Sequence, residues 1–346
     1  MTDIAVINIG ALFGDDAGAI RETDRQIARA AFDIGFMAVT GYPAELQVGP
    51  DARKVLLKLF DLPVEAQQPY WKRNFAPENK HIYRGWFPLS SSKALNREGF
   101  EIGPDILRSL PADAGDDVLY EATPIPDSAL LPKGWRQIAA AYYRGAETVG
   151  EHILASLSRS LGIDESIFRE AFVGGISTLR LLHYPKRPEG VEFAADVPER
   201  FVEHDGKRYE QVARAHVDSG LLTVLATCGV GGLQAEDSAG NWIDVPVIDD
   251  RFAINFGGLL ECWTGGRIKA TRHRVLGLGE NRYSVPFFFE PRPTTRISPL
   301  PIKGIRAFQP FLYGDHLWAV ATKFPENFGL EDLRPPRAPY VNPLGS

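Results

Sequence analysis

His216-Val217-Asp218-Ser219-Gly220-Leu221-Leu222-Thr223-Val224-Leu225 is the stretch from which the rest of the chain is read. It opens a β-prone apolar run, and on a strand residues i and i+2 face the same side. The imidazole of His216 and the carboxylate of Asp218 are therefore expected to converge on one point. The local sequence offers no third ligand, so one must come from a distant strand. His273 is the candidate, in the short β-prone run Ile268-Lys269-Ala270-Thr271-Arg272-His273-Arg274-Val275. Two imidazoles and one carboxylate form the facial arrangement suited to Fe(II), with coordination positions left open. A His-x-Asp triplet also arises by chance, and His273 alone reads equally as an exposed or hydrogen-bonded histidine.

Shortly downstream stands Arg282-Tyr283-Ser284-Val285-Pro286-Phe287-Phe288-Phe289. Arg282 and Ser284 share a face by the same period of two. A guanidinium grips a carboxylate through two parallel hydrogen bonds, and a hydroxyl adds a third. The pair could be a surface arginine beside a solvated serine, but the phenylalanine run argues for a buried setting. A buried arginine needs an anionic partner.

Outward from these motifs, the chain beyond residue 177 reads as short strands in series. They are Thr178–Tyr184, Phe201–His204, Lys207–Val212, Leu221–Thr227, Trp242–Val247, Phe252–Asn255 and Tyr283–Phe289. Asp205-Gly206 between two of them is a two-residue hairpin signal. Such a series argues for a sandwich, jelly roll or barrel rather than alternating βα units. Upstream, Ile27, Ala30, Ala31 and Ile34 recur at helical spacing after Asp15 and Asp16, and Phe36–Thr40 reads as a strand. A second helix is expected from Pro50. The stretch from Gly103 to Gly134, rich in prolines and acids, reads as a long surface connection. A long helix follows from Trp135 to Leu161, with Gly162 as its stop. The expected fold is mainly β with flanking helices. Residues 1–110 form an N-terminal helical and mixed region, 111–176 a linker and support helix, 177–300 the catalytic core, and 301–346 a C-terminal segment packed on it.

Taken together, these motifs resemble the iron- and 2-oxoglutarate-dependent dioxygenases of the isopenicillin N synthase-like family. The resemblance covers nearly the whole chain. It includes Ala31 to Tyr42, Leu179-Arg180-Leu181-Leu182-His183-Tyr184-Pro185, His216 to Thr227, Gly231-Gly232-Leu233-Gln234, Asn241 to Pro246 and Ile254-Asn255-Phe256-Gly257, besides the His273 and Arg282 motifs. It implies a double-stranded β-helix (jelly-roll) core with an N-terminal helical region. It also implies that His216, Asp218 and His273 bind Fe(II), that Arg282 and Ser284 hold the distal carboxylate of 2-oxoglutarate, and that Tyr184 adds a hydroxyl to that clamp. The implied reaction is hydroxylation of an unactivated carbon of a small molecule by O2, with succinate and CO2 as co-products. Three readings stand beside it: an isopenicillin N synthase-type oxidase without 2-oxoglutarate, a 2-oxoglutarate-dependent cyclase or desaturase in natural-product biosynthesis, and a non-enzymatic β-barrel binder, against which the intact triad counts.

The sequence departs from the family pattern at Val217, which is expected to point away from iron, and at Arg272, which could bring positive charge to the cofactor mouth. The segment 186–215, with its Asp205-Gly206 hairpin, is placed either to cover substrate or to stand free in solvent. Candidate substrate contacts are Arg84, which could meet an acidic group, and Trp86, which could meet a ring. Arg180 and His183 flank the clamp tyrosine and could support it.

Composition bounds the partners. The chain has 346 residues, 44% of them apolar and 24% charged, which fits a globular protein with a large core. A net charge of -6 without a basic block argues against nucleic acid. No apolar run is long enough for a membrane span, and the acidic start does not resemble a secretory signal. Two cysteines make no disulfide framework, so a reducing cytoplasm is the expectation, and with no coiled coil or repeat in the sequence a monomer or homodimer is expected.

Overall fold

The computed structural model describes residues 3–90, 96–112, 114–187, 200–247, 249–305 and 307–345. In chain order the first half holds β1 (Val6–Asn8), α1 (Ala17–Asp33), β2 (Phe36–Thr40), α2 (Pro50–Leu57), α3 (Val64–Gln67), β3 (Gly85–Phe87), β4 (Glu98–Ile102), α4 (Trp135–Leu161) and α5 (Ser166–Phe172). The β-rich part holds β5 (Thr178–Tyr184), β6 (Phe201–His204), β7 (Lys207–His216), β8 (Leu222–Ala226), β9 (Leu233–Glu236), β10 (Trp242–Asp244), β11 (Phe252–Phe256), α6 (Gly258–Trp263), β12 (His273–Leu276) and β13 (Arg282–Phe289). The chain closes with β14 (Arg296–Ile297), β15 (Phe311–Leu312) and α7 (Tyr313–Ala321).

Alternation along each strand organises the fold. Val285, Phe287 and Phe289 of β13, Leu222, Val224 and Ala226 of β8, and Phe252, Ile254 and Phe256 of β11 join one core with Tyr142, Tyr143, Val149 and Ile153 of α4. Intervening residues of the same strands face the other way, as a period of two requires. There Ala253 meets Phe36, Leu233, Ala235 and Val275 in a second, smaller cluster. The major sheet runs β1-β2-β11-β8-β13-β5-β4-β3 and the minor sheet β10-β9-β12-β7-β6. One face of the major sheet carries the helices and the other the minor sheet. This is the expected jelly roll, and β1 to β4 of the N-terminal region are built into its major sheet.

Helix α4 spans the predicted residues and stops at Gly162, whose φ of 68° suits glycine. It packs tightly on β13: a Cβ at Gly150 would lie 2.7 Å from Cδ1 of Phe289. Asp205 and Gly206 both adopt positive φ, 48° and 70°, as a tight hairpin turn requires. His204 and Lys207 face each other across it. The hairpin falls within the described residues, whereas 188–199 of the expected covering segment lie outside them.

One expectation is corrected. The stretch from Gly103 to Gly134 is not a purely surface connection. It contains short 3-10 turns at Pro104–Ile106 and Val118–Tyr120, with Asp117, Leu119 and Tyr120 buried. Arg334 near the C-terminus donates to Asp117 from Nε at 2.8 Å and to Asp315 of α7 from Nη1 at 2.8 Å. A buried acid with a distant cationic partner leaves no local periodicity in the sequence, so the reading missed it.

Candidate active site

His216 ends β7 and His273 begins β12, and the ladder between these strands pairs the two residues directly. Their rings lie 4.3 Å apart between centroids. Each Nδ1 faces a backbone carbonyl: Arg214 O at 2.7 Å from His216, and Thr271 O at 3.1 Å from His273. With Nδ1–H donating, each Nε2 is left as the basic nitrogen that a metal needs.

Asp218 comes from a different geometry than the sequence suggested. The strand stops at His216, so Asp218 is not its same-face neighbour on β7. The chain turns over residues 217–221, and the turn brings the carboxylate back to the imidazoles. Asp218 Oδ1 lies 3.5 Å from His216 Nε2 and 3.7 Å from His273 Nε2. Its Oδ2 accepts hydrogen bonds from Thr223 Oγ1 at 2.8 Å and Asn255 Nδ2 at 2.7 Å. The backbone is fixed as well, since Gly258 N donates to Asp218 O at 2.7 Å. A Cβ at Gly257 would run into the carbonyl oxygen of Gly220, so the end of β11 can seat the turn only without a side chain there. Val217 is partly exposed and lines a second compartment beside the triad.

One ligand atom from each of His216, Asp218 and His273 can be chosen so that all three lie within 4.8 Å of one another. Burial disfavours the Asp218 carboxylate, but both imidazoles and the hydrogen bond from Asn255 override that cost and hold its pKa far down. Burial lowers His273 against the opposing pull of Asp218, whereas at His216 burial is outweighed by the hydrogen bond and charge of Asp218, which raise it. An ionised carboxylate beside a neutral imidazole is the donor state that binds a divalent ion.

The triad opens on a cavity of about 300 Å³. At one end, Arg282 pairs across the ladder with Tyr184, and its guanidinium lies 5.1 Å from that ring's centroid. Arg282 is buried, yet its Nε and Nη1 have no hydrogen-bond partner among the described residues. Burial lowers its pKa, with Tyr184 and Cys228 opposing. Ser284 lies two residues on along β13, also buried and on the same wall. Unpaired buried donors on a cation call for an anion that fills the cavity, and a dicarboxylate fits that requirement. The residues present thus fit both a divalent metal and a carboxylate co-substrate.

Other predicted residues fall elsewhere. Arg180 lines this cavity and the second compartment beyond the triad, where it pairs with Glu101 and lies 5.1 Å over the Phe288 ring. Burial would raise the Glu101 carboxyl, but Lys72 and Arg180 prevail and hold it at about 2. His183 faces away from the cavity, stacks on Tyr283 with rings 4.5 Å apart, and meets Glu98 at 2.8 Å. Arg84 and Trp86 do not reach the cavity wall. Both are fully buried: Arg84 donates to Thr178 Oγ1 and Ile176 O, and Trp86 to Glu98. Tyr83, one residue earlier, lines the second compartment instead. A strand of three residues is too short for its inward face to be read. Arg272 pairs with Glu236 at 3.0 Å on the surface and does not line the cofactor cavity. Thr223 and Asn255 were not singled out as site residues, although both fall inside the motifs quoted above.

A jelly roll whose site joins a two-histidine, one-carboxylate cluster to a buried guanidinium defines a class of iron oxygenase. Residues 177–291 match the 2OG-Fe(II) oxygenase superfamily. The chain is 28% identical over 300 residues to the 2-oxoglutarate-Fe(II) type oxidoreductase hxnY of Emericella nidulans, covering 83% of this chain and 79% of that protein. It is 29% identical over 298 residues to a feruloyl CoA ortho-hydroxylase of Ipomoea batatas, covering 84% and 74%. Against isopenicillin N synthase of Lysobacter lactamgenus the figures are 26% over 323 residues, covering 91% and 94%. The fold matches a full-length Neurospora crassa protein crystallised with alpha-KG and thymine at a TM-score of 0.74, with 23% identity and coverage of 93% and 97%. It matches the rice dioxygenase for auxin oxidation at 0.66, with 23% identity and coverage of 95% and 99%. The β-rich core thus matches the 2OG-Fe(II) oxygenase superfamily, and over most of its length the chain is similar to 2-oxoglutarate-Fe(II) oxidoreductases and to isopenicillin N synthase. Among the described residues, no helix is long and apolar enough to cross a membrane.

Proposed function

We propose that the protein hydroxylates an unactivated carbon of a small molecule, with succinate and CO2 as co-products. His216, Asp218 and His273 are the iron ligands in this reading, and Arg282, Ser284 and Tyr184 bind the distal carboxylate of 2-oxoglutarate. The observation that carries it is one cavity with the ligand cluster on its wall and, at its end, a buried guanidinium with two donors that no described residue satisfies.

Iron bound here with 2-oxoglutarate supplies the oxidation of carbon, which no side chain of the site can perform. The protein positions the reactants. Thr223 and Asn255 hold Asp218 by one oxygen and leave Oδ1 toward the imidazoles. Arg282 orients the co-substrate through a charge-assisted hydrogen-bond fork. The second compartment, about 170 Å³ in volume, shares His216, Asp218, Arg180 and Phe288 with the first and extends away from Arg282. Substrate occupies this side. Phe288 and Arg180 offer a flat wall, which suits a ring, and the relatives named for feruloyl CoA and crystallised with thymine handle flat rings.

The test is anaerobic addition of 2-oxoglutarate to the Fe(II) protein, followed by air. A weak visible charge-transfer band before air, and succinate after it, are expected. Absence of both would favour the isopenicillin N synthase-type oxidase, in which Arg282 and Ser284 grip the substrate's own carboxylate.

A further inference from the structure

The inward row of β13 does not end with the strand. Arg282, Ser284, Pro286 and Phe288 line the first cavity, and Glu290, the next residue of the same parity, lines the second compartment. Paired β5 runs alongside, with Tyr184 opposite Arg282 and Thr178 opposite Phe288. One end of this double row is basic and the other acidic, with the iron site between them.

Glu290 is buried, and its carboxylate is held from two sides. Thr178 Oγ1 donates to Oε2 at 3.1 Å, and the Tyr313 hydroxyl donates to Oε1 at 3.1 Å. The direction of the first bond is set from behind. Arg84 donates from Nη1 to Thr178 Oγ1 at 2.6 Å, so the single hydrogen of Thr178 is free to point at Glu290. A donor chain from Arg84 through Thr178, with Tyr313 opposite, makes Glu290 an acceptor. A carboxylate accepts about four hydrogen bonds, and among the described residues these partners supply two. Leu317, Val320 and Ala321 of α7, which line the same compartment, carry no side-chain donor, and Arg180 across it is paired with Glu101. A buried acceptor with spare capacity, facing an apolar helix on one side, favours a ligand that brings its own donor.

We propose that Glu290 selects the substrate by accepting a hydrogen bond from an N–H or O–H group of a small flat molecule bound between β13, β5 and α7. The inference rests on the oxygenase reading above and adds a substrate class to it: a ring bearing a hydrogen-bond donor at the end remote from Arg282. Burial raises the Glu290 carboxyl to about 7, so a donor from substrate also favours its charged form.

The experiment uses full-length protein loaded with Zn(II) and 2-oxoglutarate at pH 8. Ligand-observed NMR measures the affinities of three matched pairs: indole and N-methylindole, 2-pyridone and N-methyl-2-pyridone, phenol and anisole. In the wild type, the donor-bearing member of at least one pair binds at least about tenfold tighter than its methylated partner. Glu290→Gln abolishes that preference, because the one amide oxygen is claimed by Thr178 or Tyr313 and the amide turns a donor toward the ligand. Its affinity for 2-oxoglutarate, titrated separately, stays at the wild-type value. Equal affinity within every pair, a preference that survives in Glu290→Gln, or no binding by any probe overturns the proposal. If Glu290→Gln melts early, the wild-type pairs alone decide. Failure of 2-oxoglutarate to bind the wild type would instead overturn the reading on which the proposal rests.

Discussion

Asn255 and Thr223 show how much of the proposed iron site is set by residues that would not touch the metal. Both donate to Asp218 Oδ2 and turn its other oxygen toward the imidazoles. Outer partners of this kind are typically worth about 10–100-fold in metal affinity. Asn255→Ala is therefore expected to weaken Fe(II) binding by about that factor while leaving the helical circular-dichroism signal intact. Unchanged metal affinity would mean that Asp218 is oriented by the turn alone. Arg282 is expected to act only on the co-substrate. Truncating one partner of a buried charged pair costs about 2–5 kcal/mol, so Arg282→Ala should raise the KM for 2-oxoglutarate by about 30-fold or more. An unchanged KM would remove Arg282 from the clamp. Glu290 gives a pH signature. Burial raises its carboxyl to about 7, although Arg84, Thr178 and Tyr313 pull it down, while the unfolded chain titrates near 4.5. The native state therefore holds its proton longer, and stability falls as pH climbs from about 4.5 through 7. Glu290→Gln should flatten the melting temperature across that window. A slope identical to wild type would show that Glu290 does not cause it.

At the scale of elements, β13 carries the most information per residue. Its alternation assigns Phe287 and Phe289 to the helical side and Arg282, Ser284 and Phe288 to the cavity, and this face is readable without coordinates. The Asp205-Gly206 hairpin and α4 with its glycine stop are legible for the same reason, since local periodicity and turn chemistry suffice. Other parts are not local. Asp218 reaches the imidazoles through a turn whose close packing depends on Gly257, far downstream. Around β3 the compartment side belongs to Tyr83 rather than to Arg84 and Trp86, because three residues leave no period to read. Gly150 of α4 makes a prediction at this scale. Alanine there gains about 1 kcal/mol in helix propensity, but overpacking against buried Phe289 costs about 1–3 kcal/mol. Gly150→Ala should therefore lower the unfolding free energy in urea. An increase would mean that α4 can lift from the sheet without penalty.

Across the whole molecule, distant segments are joined by charges that the sequence cannot pair. Arg334 bridges Asp117, from the segment before α4, and Asp315 of α7, all three buried. Breaking a buried pair by removing one partner costs about 3–5 kcal/mol, because the remaining charge stays unpaired. Among the described residues, Arg334→Ala leaves Asp315 with only the backbone donors of Arg337 and Ala338, while Asp117 keeps Arg337 at 3.2 Å, and should lower the unfolding free energy by about the lower end of that range. A loss below about 1 kcal/mol would mean that the C-terminal segment is only loosely attached. Since α7 also walls the second compartment, this joint links the end of the chain to the proposed substrate side.

The proposed roles of the site residues depend on a ferrous ion binding where two paired strands and one turn meet. Anaerobic equilibrium dialysis against Fe(II) measures that directly. One iron per wild-type chain is expected, and none in His216→Ala, Asp218→Ala or His273→Ala, with the far-ultraviolet spectrum of each variant unchanged. Stoichiometric iron retained by any one of the three folded variants would contradict the assignment.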